Sequence, residues 1–444
     1  MTVISQLAEF VAQANAAALP AAEQTLQRRH IFDAVVAAAV GARTREAQSL
    51  AALFGARALP QIIAQRAATI RLSEVDDIHL PSCTTPTAAA VAVALSLAAQ
   101  AARFDPVQVA SAIWAGTETM TRMGEAVRGP EILYRGVWPS CFAAPLSAAA
   151  TAARMHGFDA KQTAHALSLA LMLSTRGTGR PHGSPSGRWV MFGVAVASGL
   201  SAVEAVRAGY RGDPGLLDGS GFEESWGFAL DRDHLAAVSP AHSVYPALSL
   251  KPFCSAKQSI AAVEALRAIL ASGIEPGAIA AVRVRVPPAY AGMVGLKAQD
   301  QVRTTTLVSA ARQLALLAFD PARLYDVDRG AAVTDPALLS FEAKVEIVAD
   351  AALAPYYPHD WPAEVEVVGA DGSTRRERVV TAPGDPSRPL AEEALEQKAH
   401  RLLDHLIGRD GATGFIGIAR RGLEDVTGCR ALAGAFVQSF AEVR

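Results

Sequence analysis

The chain has 444 residues, and its 41 Lys and Arg residues against 43 Asp and Glu residues give a net charge of −2. Hydrophobic residues make up 51% of the chain and aromatic residues only 6%. This length predicts two domains, and the apolar fraction excludes a disordered chain. The near-neutral charge excludes the basic surface of a nucleic-acid binder, so a small molecule is the expected partner.

The cysteines indicate a reducing compartment. Cys83, Cys141, Cys254 and Cys429 lie far apart and form no zinc-binding pattern, so we expect no structural metal. So few thiols form no disulfide framework, and we expect a cytoplasmic protein. The N-terminal segment carries Glu9 and lacks a leading basic region, which indicates no export signal. The longest uncharged stretch, 83–102, contains proline, serine and glutamine, so we expect it inside the protein and not in a membrane.

From residue 5 to about residue 272 the sequence predicts helices almost throughout. Asp105 and Asp159 each stand at the start of a helix with a glutamine three residues later, which is the pattern of a capping box. The segments 88–102 and 161–174 are rich in alanine, which favours helix and lets backbones approach closely. We therefore expect these two helices at the centre of a bundle.

After Gly273 the pattern changes to strands. Apolar and charged residues alternate with period two in 279–287, 343–349 and 363–369, and Asp371-Gly372 predicts a hairpin turn into 375–381. The stretch 302–319 predicts a helix, and 391–407 returns to a helical period.

These elements predict a mainly α fold with two domains. The larger one is an all-α helical bundle that is discontinuous in sequence, formed by 1–273 and 388–444. A smaller α+β domain, 274–387, interrupts it.

The densest polar segment, 74–86, lies just before the predicted buried helix at 88–102. It contains the adjacent acids Asp76 and Asp77, then His79, and the hydroxyls Ser82, Thr84 and Thr85. Such groups at a helix entrance suit a site that handles protons and anions. The alternative is helix capping in a solvated loop, but the number of ionisable groups favours a site.

Three further segments combine polar groups with breaks in the helical pattern. The first contains Arg122, Glu125, Arg128, Tyr134, Arg135, Trp138, Ser140 and Cys141, where arginine suits carboxylates and tryptophan can wall a pocket. Surface arginines and a core tryptophan explain the same residues equally well. The second, 176–189, breaks an apolar helix with glycine and proline and carries His182 and Arg188, which favours a binding loop. It is not a P-loop, and no GxGxxG motif opens a βαβ unit, so we expect no nucleotide cofactor.

The last of these segments is 251–258. Lys257 and Gln258 stand in the first turn of a predicted helix, where the helix dipole disfavours a cation unless an anion lies nearby. Lys251 precedes them. Cys254 is either a nucleophile or a buried inert thiol, and the second alternative is favoured because no other feature supports the first.

Taken together, these segments resemble the MmgE/PrpD family, which includes 2-methylcitrate dehydratase, cis-aconitate decarboxylase and iminodisuccinate epimerase. The resemblance covers the whole chain. It is carried by Asp76-Asp77-Ile-His79-Leu-Pro81 with Pro86, Arg135-Gly136 through Pro139-Ser140, Lys251-Pro252-Phe253 with Lys257, and the Asp371-Gly372 hairpin followed by Gly384-Asp385-Pro386 and Pro389-Leu390. It implies an all-α domain interrupted by an α+β domain, a homodimer, a site between the domains, and chemistry on small polycarboxylates without a metal or cofactor.

The chain departs from the pattern of this family in its acid and base residues. Family members that dehydrate or decarboxylate use histidines at positions that align with Thr85, Trp138 and Ile260 here. A lysine of the third motif is also missing, with His182 and Arg188 as the nearest substitutes. Threonine, tryptophan and isoleucine exchange no proton near neutral pH, so other residues do this work or the reaction differs.

The polar segments and the resemblance together give a set of candidate site residues, of which Asp76, Asp77, His79 and Lys251 or Lys257 carry over from the family. Asp76, Asp77, His79, His182 and Lys257 are the candidate catalytic residues, and Thr84, Thr85, Arg135, Trp138, Ser140, Arg188, Lys251 and Gln258 are the candidate substrate-binding residues. The favoured function is a dehydratase-type lyase that acts on a small di- or tricarboxylic acid. The alternatives are an epimerase or racemase of an iminodisuccinate-like dicarboxylate, and a differently specialised member with a less acidic substrate.

Overall fold

The computed structural model describes residues 1–55, 58–103, 105–180, 183 and 186–441, and the fold is mainly α. The chain divides into two compact units. The first unit comprises Met1–Gly179, Gly187–Leu248 and Leu403–Arg444, and the second comprises Arg180–Ser186 and Ser249–Leu402. The domain boundaries at 273/274 and 387/388 stay predictions from the sequence.

The first unit is built from helices. They are α1 (Val3–Gln13), α2 (Ala21–Gly41), α3 (Arg45–Phe54), α4 (Leu59–Leu72), α5 (Pro86–Gln100), α6 (Pro106–Ala126), α7 (Gly129–Tyr134), α8 (Pro139–Met155), α9 (Ala160–Met172), α10 (Gly187–Arg207), α11 (Gly221–Trp226) and α12 (Arg232–Ala236). The two-residue strands β1 (Ile78–His79) and β2 (Leu248–Ser249) follow α4 and α12 in the chain.

Small residues let the central helices of this unit pack closely. Helix α5 is buried from Pro86 to Ser96, as its alanine content predicted. A methyl group at Gly116 in α6 would lie 1.9 Å from the Thr151 hydroxyl oxygen in α8. Helix α9, the other alanine-rich segment, is buried at seven of its nine residues from Thr163 to Leu171, and its exposed residues lie at the two ends of the helix.

The two predicted capping boxes differ in the structure. Asp159 caps α9, and Gln162 returns a hydrogen bond to the Asp159 backbone, which completes the box. Asp105 caps α6 by accepting from the Val107 N–H. However, the Gln108 amide donates to the Met155 carbonyl oxygen, 2.9 Å away, because the neighbouring helix α8 offers an unpaired acceptor at its C-terminal end.

In the second unit, helices pack on a four-stranded sheet. Its strands are β3 (Ile279–Val286), β4 (Val345–Ala349), β5 (Ala363–Gly369) and β6 (Thr374–Val379), in the order β4-β3-β5-β6. β3 pairs in parallel with β4 and antiparallel with β5, while β5 and β6 form the hairpin that Asp371-Gly372 predicted. Ile279 and the valines of β3 are buried, as are Val365 and Val367 of β5. Arg285 of β3 and Arg378 of β6 pair with Glu364, and Arg283 and Arg376 pair with Glu366.

The helices of the second unit are α13 (Lys257–Ala271), α14 (Pro288–Val294), α15 (Arg303–Val308), α16 (Ala310–Phe319) and α17 (Pro336–Ala343). The prediction of one helix over 302–319 is wrong. Ser309 adopts an extended ψ of 109° and its hydroxyl accepts from the Arg312 N–H, so it ends α15 and caps α16.

Two more helices complete the chain. Helix α18 (Glu392–Arg421) begins in the second unit, ends in the first, and has a non-helical residue, Gly408. Helix α19 (Val426–Gln438) follows it. Within the described part of the chain, α10 is long and apolar enough to cross a membrane by length and composition, and half of its apolar window is buried against protein, as in the core helix of a bundle.

Candidate active site

The polar segment predicted as a site forms a buried loop, residues 73–85, between α4 and α5. Asp76 and Asp77 are 0% exposed and His79 is 2% exposed, so the alternative of a solvated loop does not apply. Glu74 and Cys83 adopt the left-handed conformation with φ of 56° and 55°, and these turns fold the loop back on itself. The His79 N–H donates to the Thr84 carbonyl oxygen at 2.8 Å, which closes the fold.

His79 is held by a chain of hydroxyl groups. Its Nδ1 lies 2.9 Å from the Ser82 hydroxyl oxygen, which lies 2.6 Å from the Thr84 hydroxyl oxygen. Burial lowers the pKa of His79 to about 4, although the charges of Glu125 and Asp77 act in the opposite direction. The imidazole is therefore neutral at neutral pH. Its other nitrogen, Nε2, makes no hydrogen bond with any residue in the described part of the chain and can accept a proton.

Asp77 is bound on both carboxylate oxygens. Oδ2 lies 2.9 Å from His30 Nδ1 on α2, and Oδ1 accepts from the Thr87 hydroxyl on α5 at 2.7 Å. These bonds tie the loop to two helices. Asp77 therefore anchors the loop two residues before His79.

Asp76 and Glu74 belong to a buried ion-pair network. Arg71 lies 3.2 Å from both carboxylates, and Arg188 on α10 lies 2.8 Å from the other Glu74 oxygen. The Arg188 guanidinium lies over the rings of Trp189 and Trp138, 4.0 Å and 5.5 Å from their centroids. This network connects the polar segment 74–86 with Trp138 of the segment 122–141 and Arg188 of the segment 176–189.

A pair of titratable residues, Glu125 and His234, lies near the loop at the end of α6. A methyl group at Gly129 would lie 1.9 Å from the Ser82 carbonyl oxygen, so only glycine allows this contact. Next to it, Glu125 Oε2 lies 3.0 Å from His234 Nε2 on α12. The hydrogen bond to Glu125 raises the pKa of His234. Burial acts to raise the pKa of Glu125, but the bond to His234 and the nearby positive charges leave it lowered.

Sequence reasoning missed His234. It stands in the short segment Asp231-Arg-Asp-His-Leu, and the only local signal there is the Asp231 cap of α12. The Asp231 N–H donates to the Ala126 carbonyl oxygen at 2.8 Å, and this contact, which is remote in sequence, brings α12 to the end of α6.

The segment 122–141 contacts both the segment 74–86 and the segment 176–189. The Thr85 N–H donates to the Ser140 hydroxyl oxygen at 3.1 Å. The backbone N–H of Trp138 donates to the Gly177 carbonyl oxygen at 2.9 Å. A methyl group at Gly179 would overlap the Trp138 indole. By contrast, Arg135 is exposed and its guanidinium donates to the Gly227 carbonyl oxygen.

His182 lies outside the described residues, so its predicted role in catalysis stays a prediction. The remaining predicted residues, Lys251, Lys257 and Gln258, belong to the second unit and are buried. The Lys257 ammonium lies 2.5 Å from the Asp385 carboxylate, so Asp385 is the anion that the cation in the first turn of α13 requires. The Leu250 N–H donates to the Gly384 carbonyl oxygen at 2.9 Å, which brings together the segments around 251 and 385.

Metal-binding groups are absent from the described part of the chain, where no three His, Cys, Asp or Glu side chains are arranged to hold an ion. Cys254 is buried, as are Cys83, Cys141 and Cys429. In the first unit the arrangement offers a neutral base, a hydroxyl chain that orients it, a second histidine paired with a carboxylate, and guanidinium groups stacked on indoles. These groups suit proton transfer on a small polar substrate.

Comparisons with family models identify the family of the chain. A model of the MmgE/PrpD N-terminal domain matches residues 64–229, and a model of the MmgE/PrpD C-terminal domain matches residues 253–421. Families of this class comprise mostly enzymes, namely dehydratases and decarboxylases. The chain belongs to the MmgE/PrpD family. No curated protein matches the chain.

Proposed function

We propose that this protein is a cofactor-independent lyase of the dehydratase type, which removes a proton next to a carboxylate of a small di- or tricarboxylic acid. The observation that carries the proposal is the buried, neutral His79, with Nδ1 on Ser82 and Nε2 open. Family membership supports the same class of reaction.

His79 Nε2 is the proposed base. It takes the proton from the carbon next to the carboxylate, and the released electron pair forms the carbon–carbon double bond. A pKa of about 4 for the free enzyme makes His79 a weak base. The negative charges of Glu125 and Asp77 favour its protonated form once the substrate has displaced water from the site.

The pair of His234 and Glu125 is the proposed proton donor. The leaving hydroxyl group departs as water when it receives a proton, so the site needs a protonated group besides the base. Because its pKa is raised by Glu125, His234 holds a proton at higher pH than an ordinary histidine. This pair would take the place of the family histidines that are absent here.

The carboxylates of the substrate need donors and cations. We propose Thr84, Thr85 and Ser140 as hydroxyl donors, and Arg188 with Trp138 as the cation and wall. Asp76 and Asp77 would then fix the geometry through Arg71, His30 and Thr87. Lys251, Gln258 and Arg135 stay proposed substrate-binding residues, and Lys257 is proposed to act with Asp385.

An epimerase is the second candidate. Epimerisation needs two proton carriers and no leaving group, and His79 with the pair of His234 and Glu125 supplies two carriers without the family histidines. An iminodisuccinate-like dicarboxylate is the corresponding substrate. A third candidate is a differently specialised member with a less acidic substrate, for which the indole of Trp138 would supply an apolar wall.

Proton NMR in D₂O with a panel of citrate-, aconitate- and succinate-like acids tests the proposal. New vinylic signals are expected from a dehydratase. Exchange of an α-proton without a new carbon skeleton would support the epimerase instead. If no acid reacts or exchanges, and none changes the thermal stability of the protein, the proposed substrate class is wrong.

Two variants connect the activity to the site. His79→Gln should abolish both exchange and product formation, because the amide cannot accept the proton. His156→Gln is the matched control, since His156 is exposed at the C-terminal end of α8. Equal activity of His79→Gln and His156→Gln, with both variants folded by circular dichroism, would refute the assigned base.

The quaternary structure is also a proposal. The family resemblance implies a homodimer of the 46.4 kDa chain. Light scattering after size-exclusion chromatography measures this directly, and a mass equal to one chain would contradict it.

A further inference from the structure

A buried arginine in the second unit has no anionic partner among the residues that the structure describes. Arg329 is 4% exposed and stands in the left-handed conformation with φ of 52°, between the short turn Pro321–Tyr325 and α17. Its Nη2 donates to the Cys254 carbonyl oxygen at 2.9 Å and lies 3.5 Å from Gln313 Oε1. Within the described part of the chain, Nε and Nη1 have no hydrogen-bond partner, although both are buried.

The nearby acids do not neutralise this guanidinium. Asp326 accepts from the backbone N–H of Arg329 at 3.1 Å and forms no ion pair with its side chain. Burial lowers the pKa of Arg329; Cys254 and Asp326 oppose this, and the positive charges of Arg303 and Arg323 add to it. Arginine nevertheless keeps its proton near neutral pH, so a charge is buried with no counter-charge paired to it in the described ranges of the chain.

A small cavity lies against this side chain. Arg312, Arg323 and Arg329 line it together with Asp300 and Thr306. Arg312 lies 2.6 Å from both Asp300 and Glu342, and Arg323 donates to the Ala331 carbonyl oxygen. Two of the three lining arginines, Arg323 and Arg329, therefore have no ion pair among the residues that the structure describes.

The size of the cavity limits what it can hold. It leaves about 10 Å³ for the centres of water-sized spheres, which is room for one water or one ion of similar size. A di- or tricarboxylic acid is far too large. Since the lining has an excess of positive charge and donor N–H groups, an anion is stabilised there more than a water molecule.

We propose that this cavity is a binding site for a single small monovalent anion of the size of chloride or bromide, held by the free N–H groups of Arg329. The anion neutralises the buried charge and so stabilises the second unit. It occupies the cavity as a structural ion and takes no part in proton transfer.

Thermal and chemical unfolding of the full chain tests this proposal. Chloride replaces gluconate at constant ionic strength, so that only the small anion changes. Above the dissociation constant, each tenfold increase in chloride should lower the apparent unfolding constant about tenfold, because one anion is released on unfolding. No dependence on chloride in the wild-type protein would overturn the proposal.

Matched variants assign the effect to the cavity. Arg329→Met removes the charge at similar volume and should abolish the chloride dependence. Arg267→Met removes an exposed arginine on α13 and should leave it unchanged. The same dependence in both variants would overturn the assignment.

If Arg329→Met fails to fold, crystals of the wild-type protein grown in bromide decide the question. Anomalous scattering should show one bromide within hydrogen-bonding distance of Arg329. A water only at that position would overturn the proposal.

Discussion

The buried state of His79 predicts how this residue titrates. Its pKa is about 4 in the folded protein against 6.5 for an ordinary histidine. Between these two values the unfolded chain binds a proton at this position and the folded chain does not. The free energy of unfolding therefore falls as the pH is lowered through this window. Well above pH 6.5 neither state binds this proton, and His79 causes no loss of stability.

The size of the effect follows from the two pKa values. Between pH 7.5 and pH 5.0, the loss of stability due to His79 is about 2 kcal/mol, from the proton-binding ratio of unfolded and folded chains. His79→Gln cannot bind this proton. The stability of the variant should therefore fall by about 2 kcal/mol less than that of the wild type over the same range.

NMR of the histidine ring protons measures the titration directly. With ¹³C-labelled histidine, the signal that His79→Gln lacks should not shift between pH 7.5 and pH 5.0. The His234 signal is the internal control, because its pKa is raised and it should titrate above pH 6.5. A His79 signal that titrates near pH 6.5 would show that burial does not control this residue, and the proposed neutral base would lose its support.

Three other changes have measurable outcomes. Asp77→Asn should destabilise the protein by about 3 kcal/mol, because it leaves the buried His30 and Thr87 bonds without their charged acceptor; urea unfolding measures it, and the exposed Glu204→Gln should have little effect. Gly129→Ala should lower the free energy of unfolding by about 3 kcal/mol, because the added methyl group clashes with the Ser82 carbonyl oxygen. Gly434→Ala, in an open position of α19, should instead stabilise the protein by up to about 1 kcal/mol. Equal effects of the two substitutions would contradict the packing at Gly129. Burial raises the pKa of Cys83, Cys141 and Cys429 to about 12, so these thiols should not react with a disulfide reagent at pH 8 until guanidinium unfolds the chain.

The fold was predictable where the pattern is local. The strands around 279–286 and 363–369 and the Asp371-Gly372 hairpin follow from alternation and turn chemistry, and the structure confirms them. The break at Ser309 was not predicted, because serine is a weak local signal inside an apolar helical period and its cap forms only when the chain turns.

The candidate site was predictable as a set of segments and not as a set of contacts. The contacts of Thr85 with Ser140 and of Glu74 with Arg188 join segments that are 55 and 114 residues apart. No local pattern indicates such pairs. The pair of Glu125 and His234 is separated by 109 residues and has the same cause, which explains why sequence reasoning included only one member of it.

The three positions where family resemblance implies histidines have other functions in this structure. Thr85 binds the Ser140 hydroxyl through its backbone, Trp138 stacks against Arg188, and Ile260 is fully buried in α13. A histidine at Ile260 would bring a polar ring into an apolar position, and one at Trp138 would remove the indole beneath Arg188. Thr85, Trp138 and Ile260 therefore each make packing or hydrogen-bond contacts within their own unit. Under the proposed function, proton transfer would depend on His79, which lies in a motif that carries the family resemblance, and on the pair of Glu125 and His234, which lies outside those motifs.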